Sequence, residues 1–250
     1  MVKHYILMSS SYTDGTRIAL DITGEDKLNS KTILEIIQEI QQNCGNDVPL
    51  STHMIETESN AWESVAKYDP FFEDVVCMRS VNEFWEKIKK DRTLSGLDVA
   101  NYILSKVKCT HLSLEKLVYF AYADYLCAYS ERLFQDKIYA YTFGPVVESV
   151  YEIYKRSGTR YLEPTYPENE VQTNVKEMPA KSRILFAKNG VEKLHSIDQT
   201  IQKYGQCTAG ELVTLTHLDG SPWSRRDSKK PYQIISDELI KAHHHMECIE

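Results

Sequence analysis

Residues 114–154 read LEKLVYFAYADYLCAYSERLFQDKIYAYTFGPVVESVYEIY, and this stretch decides the fold. Its aromatic content lies well above the chain average of 10%. Leu114, Leu117, Val118, Ala121, Tyr122, Tyr125 and Leu126 recur at steps of three and four, which places them on one helical face. Ser113 is the expected N-cap, with Glu115 in the first turn near the positive helix end. Tyr119 and Phe120 lie off that stripe. The helix is therefore apolar on more than one side and must sit at the centre of a domain or under a partner. Asp136 to Phe143 is rich in aromatic and branched residues and reads as a short strand. Gly144-Pro145 ends it, with Pro145 expected at the first position of a following helix that carries Val147, Val150, Tyr151 and Tyr154 and stops at Gly158.

Working outward, 250 residues suffice for one large domain or two small ones. Hydrophobic content of 42% with 26% charged residues is that of an ordinary globular chain. The net charge of −7 is uneven: residues 1–92 carry −6 and residues 93–250 carry −1. An acidic N-terminal part disfavours phosphate backbones and suits a basic protein partner. The six cysteines are scattered, with no zinc-finger or redox spacing. A reducing cytoplasm is the expected compartment. No signal-peptide pattern is visible, and no apolar run approaches the ~20 residues that span a bilayer.

Before the central stretch, His4–Met8 is a short apolar strand, Asp14-Gly15 a hairpin turn, and Thr16–Ile22 a second strand. Ile33, Ile36, Ile37 and Ile40 mark an amphipathic helix. Pro49–Thr57 reads as a strand, Trp62–Ala66 as a short helix, and Asp74–Arg79 as a buried-type strand. Ser80 and Glu83 form a capping-box pattern ahead of Phe84, Trp85 and Ile88. The expectation is a small mixed α/β domain over residues 1–92, an accessory unit suited to choosing a partner. A mainly helical domain with a small β element follows over 93–250, giving an α+β chain.

That second part opens with a helix on Leu97, Ala100, Ile103, Leu104 and Val107. Residues 159–180 read as a long loop with a strand at Val171–Val175. Leu194, Ile197, Ile201 and Tyr204 mark another helix, Thr208 with Glu211 a second capping box, and Ile234, Ile235, Leu239 and Ile240 a last helix.

The ordered segments DVANYIL at 98–104, LSLEKLVYFAYADYL at 112–126, LF at 133–134, IYAYTFGPVVESVY at 138–151 and ELVTLTHLDGSPW at 211–223 resemble the Panacea domain. This is a family of antitoxin domains in bacterial and phage toxin–antitoxin pairs. The resemblance covers about residues 95–245. Glu115 stands where the family often has Gln, and Tyr141 where it often has Trp. The resemblance implies a mostly helical domain that neutralises a cognate toxin, encoded by an adjacent gene, by binding it rather than by catalysis. Delivery of the toxin to a protease, or regulatory protein binding, is the alternative that the family also allows. No cofactor or metal is expected. A second copy of the chain is a further partner left open.

The residues support binding independently. Sixteen tyrosines supply large contact area with polar tips, and Tyr, Trp and Arg dominate binding hot spots. The partner-binding candidates are Tyr119, Tyr122, Tyr141, Phe143, Gly144, Pro145, Val146, Tyr151, Trp223, Arg225 and Arg226. No catalytic set stands out. His217, near Asp219 and Trp223, reads as a packing histidine. Cys109 and His111 lack an orienting carboxylate. His243, His244 and His245 could place at most two ligands on one metal ion, because consecutive histidines on a helix diverge by about 100°, and they read instead as solvated terminal residues. The basic run Arg225, Arg226, Lys229 and Lys230 could meet phosphate, but the acidic chain carries no nucleic-acid-binding signature. An enzymatic site in the unidentified N-terminal part is a distant third reading.

Overall fold

The computed structural model describes residues 1–24, 30–165, 178–227 and 232–249. The chain divides into two compact units, residues 1–93 with 186–188, and residues 94–185 with 189–249. Its architecture is α+β, as expected.

The first unit contains β1 (Val2–Ser11), β2 (Thr16–Gly24), α1 (Ser30–Cys44), β3 (Ser51–Thr57), α2 (Trp62–Tyr68), β4 (Val75–Met78) and α3 (Val81–Asp91). Its sheet runs β3-β1-β2-β4, with β2 and β4 parallel and the other pairs antiparallel. Side chains alternate between faces along a strand. Leu7 therefore joins Ile18, Ile40, Phe84 and Ile88 on one side. Ile6 and Met8 join Val65, Phe72 and Val75 on the other. With both faces covered, the near-continuous apolar run at the start of the chain is explained. His4, fully buried, pins the sheet: Nδ1 meets Asp21 Oδ2 at 2.7 Å, and Nε2 meets the Ser59 carbonyl at 2.9 Å.

The second unit comprises α4 (Gly96–Lys106), α5 (His111–Tyr129), β5 (Ile138–Tyr141), β6 (Gly144–Val147), α6 (Glu148–Tyr154), α7 (Met178–Phe186, whose last residue groups with the first unit), α8 (Gly190–Tyr204), α9 (Ala209–Thr216), β7 (Gln233–Ile234) and α10 (Asp237–His243). A 3-10 turn, His244–Glu247, follows. The centre is α5, which packs against α4, α6, α8, α9, α10 and β6. Every residue from Ser113 to Ala123 is buried, so the apolar surplus off the main stripe is used. Phe120 stacks on Tyr204 with centroids 4.3 Å apart. Each such side chain removed from water contributes about 1.5–3 kcal/mol.

Several local expectations are corrected. Thr110, not Ser113, caps α5, and its side chain accepts from the Ser113 amide. The helix thus begins a turn earlier. Pro145 lies in β6 rather than at a helix start, and α6 begins at Glu148. Proline is tolerated there because β6 is an edge strand paired only to β5. Part of 159–180 is helical, since α7 begins at Met178; Pro179 sits in its first turn, where no amide donor is needed. The strand expected at 171–175 falls outside the described residues. Ile234 belongs to β7, and the last helix starts only at Asp237 behind the Ser236 cap.

Candidate interaction surface

α5 carries two charges into the interior, and both serve the hairpin beside it. Glu115 Oε2 accepts from the Val147 amide at 2.9 Å. Lys116, fully buried, donates from Nζ to the Pro145 carbonyl. Burial lowers the Lys116 pKa to about 8, against the attraction of Glu115 and Glu247. Gly144 adopts φ +106°, and a Cβ there would lie 2.8 Å from Thr216 Oγ1 and 2.9 Å from Lys116 Cε. Gly144, Pro145 and Val146 are buried and seat the hairpin on α5 rather than standing on the surface.

The hairpin turns at Thr142-Phe143, and Phe143 projects 65% exposed. Strand alternation buries Ile138 and Ala140 and turns Tyr139 and Tyr141 outward. Tyr141 is the hub of an edge-to-face cluster, with ring centroids 5.0 Å from Tyr151 and 4.8 Å from Tyr232. Tyr232 is 63% exposed, and Ile234, paired to Tyr139 across the sheet, is 48% exposed. Lys155 lies over the Tyr151 ring.

Trp223 bridges this patch to α9. Its Nε1 donates to the Tyr141 carbonyl at 2.8 Å, and its ring lies 3.6 Å from that of His217. The Arg226 guanidinium sits 3.4 Å above the Trp223 ring and donates to the Trp223 carbonyl at 2.9 Å. Partial burial lowers the Arg226 pKa. His217 is a packing residue, with Nδ1 held 2.6 Å from the Val213 carbonyl. Arg225 is exposed. Thus Tyr141, Phe143, Tyr151, Trp223 and Arg226 converge on one aromatic and cationic face. Tyr139, Tyr232 and Ile234 belong to the same face but were not singled out. The alternation of IYAY signalled Tyr139; the contribution of Tyr232 depends on pairing across nearly a hundred residues.

Tyr119 and Tyr122 do not belong to this surface. They are 0% and 2% exposed, because they lie on the part of α5 that α10 and the C-terminal turn cover. Tyr122 donates to Asp237 Oδ1 at 2.7 Å. Tyr119 donates to Glu247 Oε1 at 2.6 Å, entering a buried polar group that sequence reading missed. Here His244 Nδ1 meets Glu247 Oε1 at 2.8 Å and Nε2 meets Asp124 Oδ1 at 2.9 Å. Thr200 donates to Asp124 Oδ2 at 2.7 Å. His244 is only 3% exposed, unlike the solvated residue expected from its neighbours. Cys109 is buried too, and desolvation raises its pKa to about 12, which keeps the thiol protonated at neutral pH.

Residues 114–224 match a family model described as Antitoxin SocA-like, Panacea domain. The match is shorter than the span expected from the sequence. Over 130 residues the chain is 26% identical to Antitoxin SocA of Caulobacter vibrioides (strain NA1000 / CB15N), covering 50% of this chain and 66% of that relative. The chain therefore spans just under two thirds of that relative's length. No solved structure matches. No described helix is long and apolar enough to cross a membrane.

Proposed function

From the Panacea domain that residues 114–224 carry, we propose that this protein is an antitoxin that binds a cognate protein toxin and neutralises it without catalysis. The observation that carries the reading is the converging face of Tyr141, Tyr151, Tyr232, Phe143 and Arg226. It combines exposed rings with a stacked guanidinium, the chemistry typical of binding hot spots. The rings of Tyr141, Tyr151 and Tyr232 are already packed against one another, so ordering them on binding costs little. The first unit, with its acidic surface, selects the partner by meeting a basic toxin surface.

The test is co-expression with the product of a neighbouring reading frame that is lethal alone. Phe143→Ala and Tyr232→Ala alter exposed side chains, so the first should change stability by no more than about 0.5 kcal/mol and the second, which also loses an edge-to-face contact with Tyr141, by about 1 kcal/mol. Together they should weaken toxin binding by about 10-fold or more and restore killing. Unchanged affinity in the folded double variant would remove this face from the mechanism. Toxin half-life, measured alongside, distinguishes masking from delivery to a protease: a masked toxin persists silent, and a delivered one disappears.

A further inference from the structure

The polar group around buried His244 beneath α5 holds three side chains of metal-ligating type, with Asp124 and Cys248 half-buried. Asp124 comes from α5, His244 from the 3-10 turn after α10, and Cys248 from the residue just past that turn. One donor atom from each lies within 4.8 Å of the other two. His244 Nε2 and Asp124 Oδ1 are already 2.9 Å apart. Tetrahedral coordination with bonds of about 2.0 Å separates such a pair by about 3.3 Å, a small opening. We propose that Asp124, His244 and Cys248 form a binding site for a zinc-class divalent metal ion, which fastens the segment 244–248 to α5 and α8.

Three features support this assignment. The first is the outer shell. Metal-bound histidines characteristically give their other ring nitrogen to a carboxylate, and metal-bound carboxylates are themselves hydrogen-bonded. Glu247 holds His244 Nδ1 at 2.8 Å and is itself held by Tyr119, while Thr200 holds the free oxygen of Asp124 at 2.7 Å. With Nδ1 given to Glu247, Nε2 is the ring nitrogen that faces Asp124, where a bound ion would replace the proton between them. The second is an unsatisfied group. The Tyr204 hydroxyl, on a fully buried side chain, faces the Cys248 thiol and the Ile249 backbone without reaching hydrogen-bond geometry with either. Three protein ligands leave a fourth position in a tetrahedral shell, open to a water or a further donor. The third is ligand softness: one sulfur, one imidazole and one carboxylate suit zinc or cobalt(II) over magnesium or calcium. The set is also unlike the consecutive-histidine pattern of the sequence, since only the middle histidine turns inward.

Cobalt(II) is the probe for the full-length protein, purified with chelator and then dialysed. One equivalent should bind and give a thiolate-to-cobalt charge-transfer band with the visible bands of tetrahedral cobalt, both lost on adding zinc. Cys248→Ser should abolish the charge-transfer band, whereas Cys127→Ser should retain it. Thr200→Val, which touches only an outer partner, should weaken affinity by about 10- to 100-fold and keep the band at saturation. Zinc a hundredfold above its dissociation constant should raise the melting temperature by about 5 °C or more. Absence of stoichiometric binding by the wild type would overturn the assignment. So would a charge-transfer band that survives in Cys248→Ser or vanishes in Cys127→Ser.

Discussion

Single residues settle how the hairpin is held. Gly144 combines a positive φ with a Cβ direction blocked by Thr216 and Lys116. Gly144→Ala should therefore lower stability by about 1–3 kcal/mol, read from the denaturant midpoint, and an unchanged midpoint would show that the seat yields. Lys116 makes a pH signature. Its pKa falls from 10.5 to about 8 on burial, so the unfolded chain holds more protons between those limits, and stability rises with pH across that window. The full penalty, about 3 kcal/mol, is carried below pH 8. The buried hydroxyls of Tyr119 and Tyr122 have raised pKa values and pull the other way once pH passes 10. The informative quantity is thus the difference between wild type and Lys116→Met. Wild type should gain on the variant by up to about 3 kcal/mol from pH 8 to 10.5, and parallel profiles would contradict a charged buried amine.

At the scale of elements, helix starts were legible where a side chain closes a local ring. Thr208 and Glu211 form the reciprocal capping box that their spacing announces, as do Ser95 and Asp98. Thr208→Ala should cost about 1 kcal/mol in chemical denaturation, and no loss would mean that packing of α9 on α5 alone sets the helix start. The Ser80 hydroxyl does cap α3, but Glu83 reaches back to the Arg79 amide, one residue beyond the box. Elements decided by distant partners were not legible. Gly144-Pro145 carries the same local signal whether it opens a helix or turns into a strand; register with β5 and the Lys116 bond make it a strand. The helix behind Pro179 was hidden by a proline that one turn of helix accommodates. The surface was half visible: alternation exposes Tyr141, but nothing within α5 distinguishes Tyr119 as interior. His244 looked solvated for the same reason, because the groups that bury it lie on α5, more than a hundred residues away.

For the whole molecule, the unequal charge gives the proposed division of labour a measurable consequence. The first unit places Glu56, Glu58 and Glu63 on exposed positions at the end of β3 and the start of α2. Exposed charges far from tight pairing act on encounter more than on the final complex. Of these three, only Glu56 has a cation within ion-pair distance among the described residues, Lys3 at 3.7 Å, and that pair is itself half exposed. Reversing all three to lysine leaves the sheet core of Leu7, Ile18 and Phe84 untouched and should keep the fold. If a basic toxin surface is the partner, the reversal should slow association about 10-fold or more at low salt. That difference should shrink as ionic strength approaches 1 M, where the Debye length is about 3 Å. Stopped-flow association across a salt series reads both effects. Slowing that salt does not relieve would point to altered local structure, and an unaltered rate would transfer partner choice to the aromatic face around Tyr141.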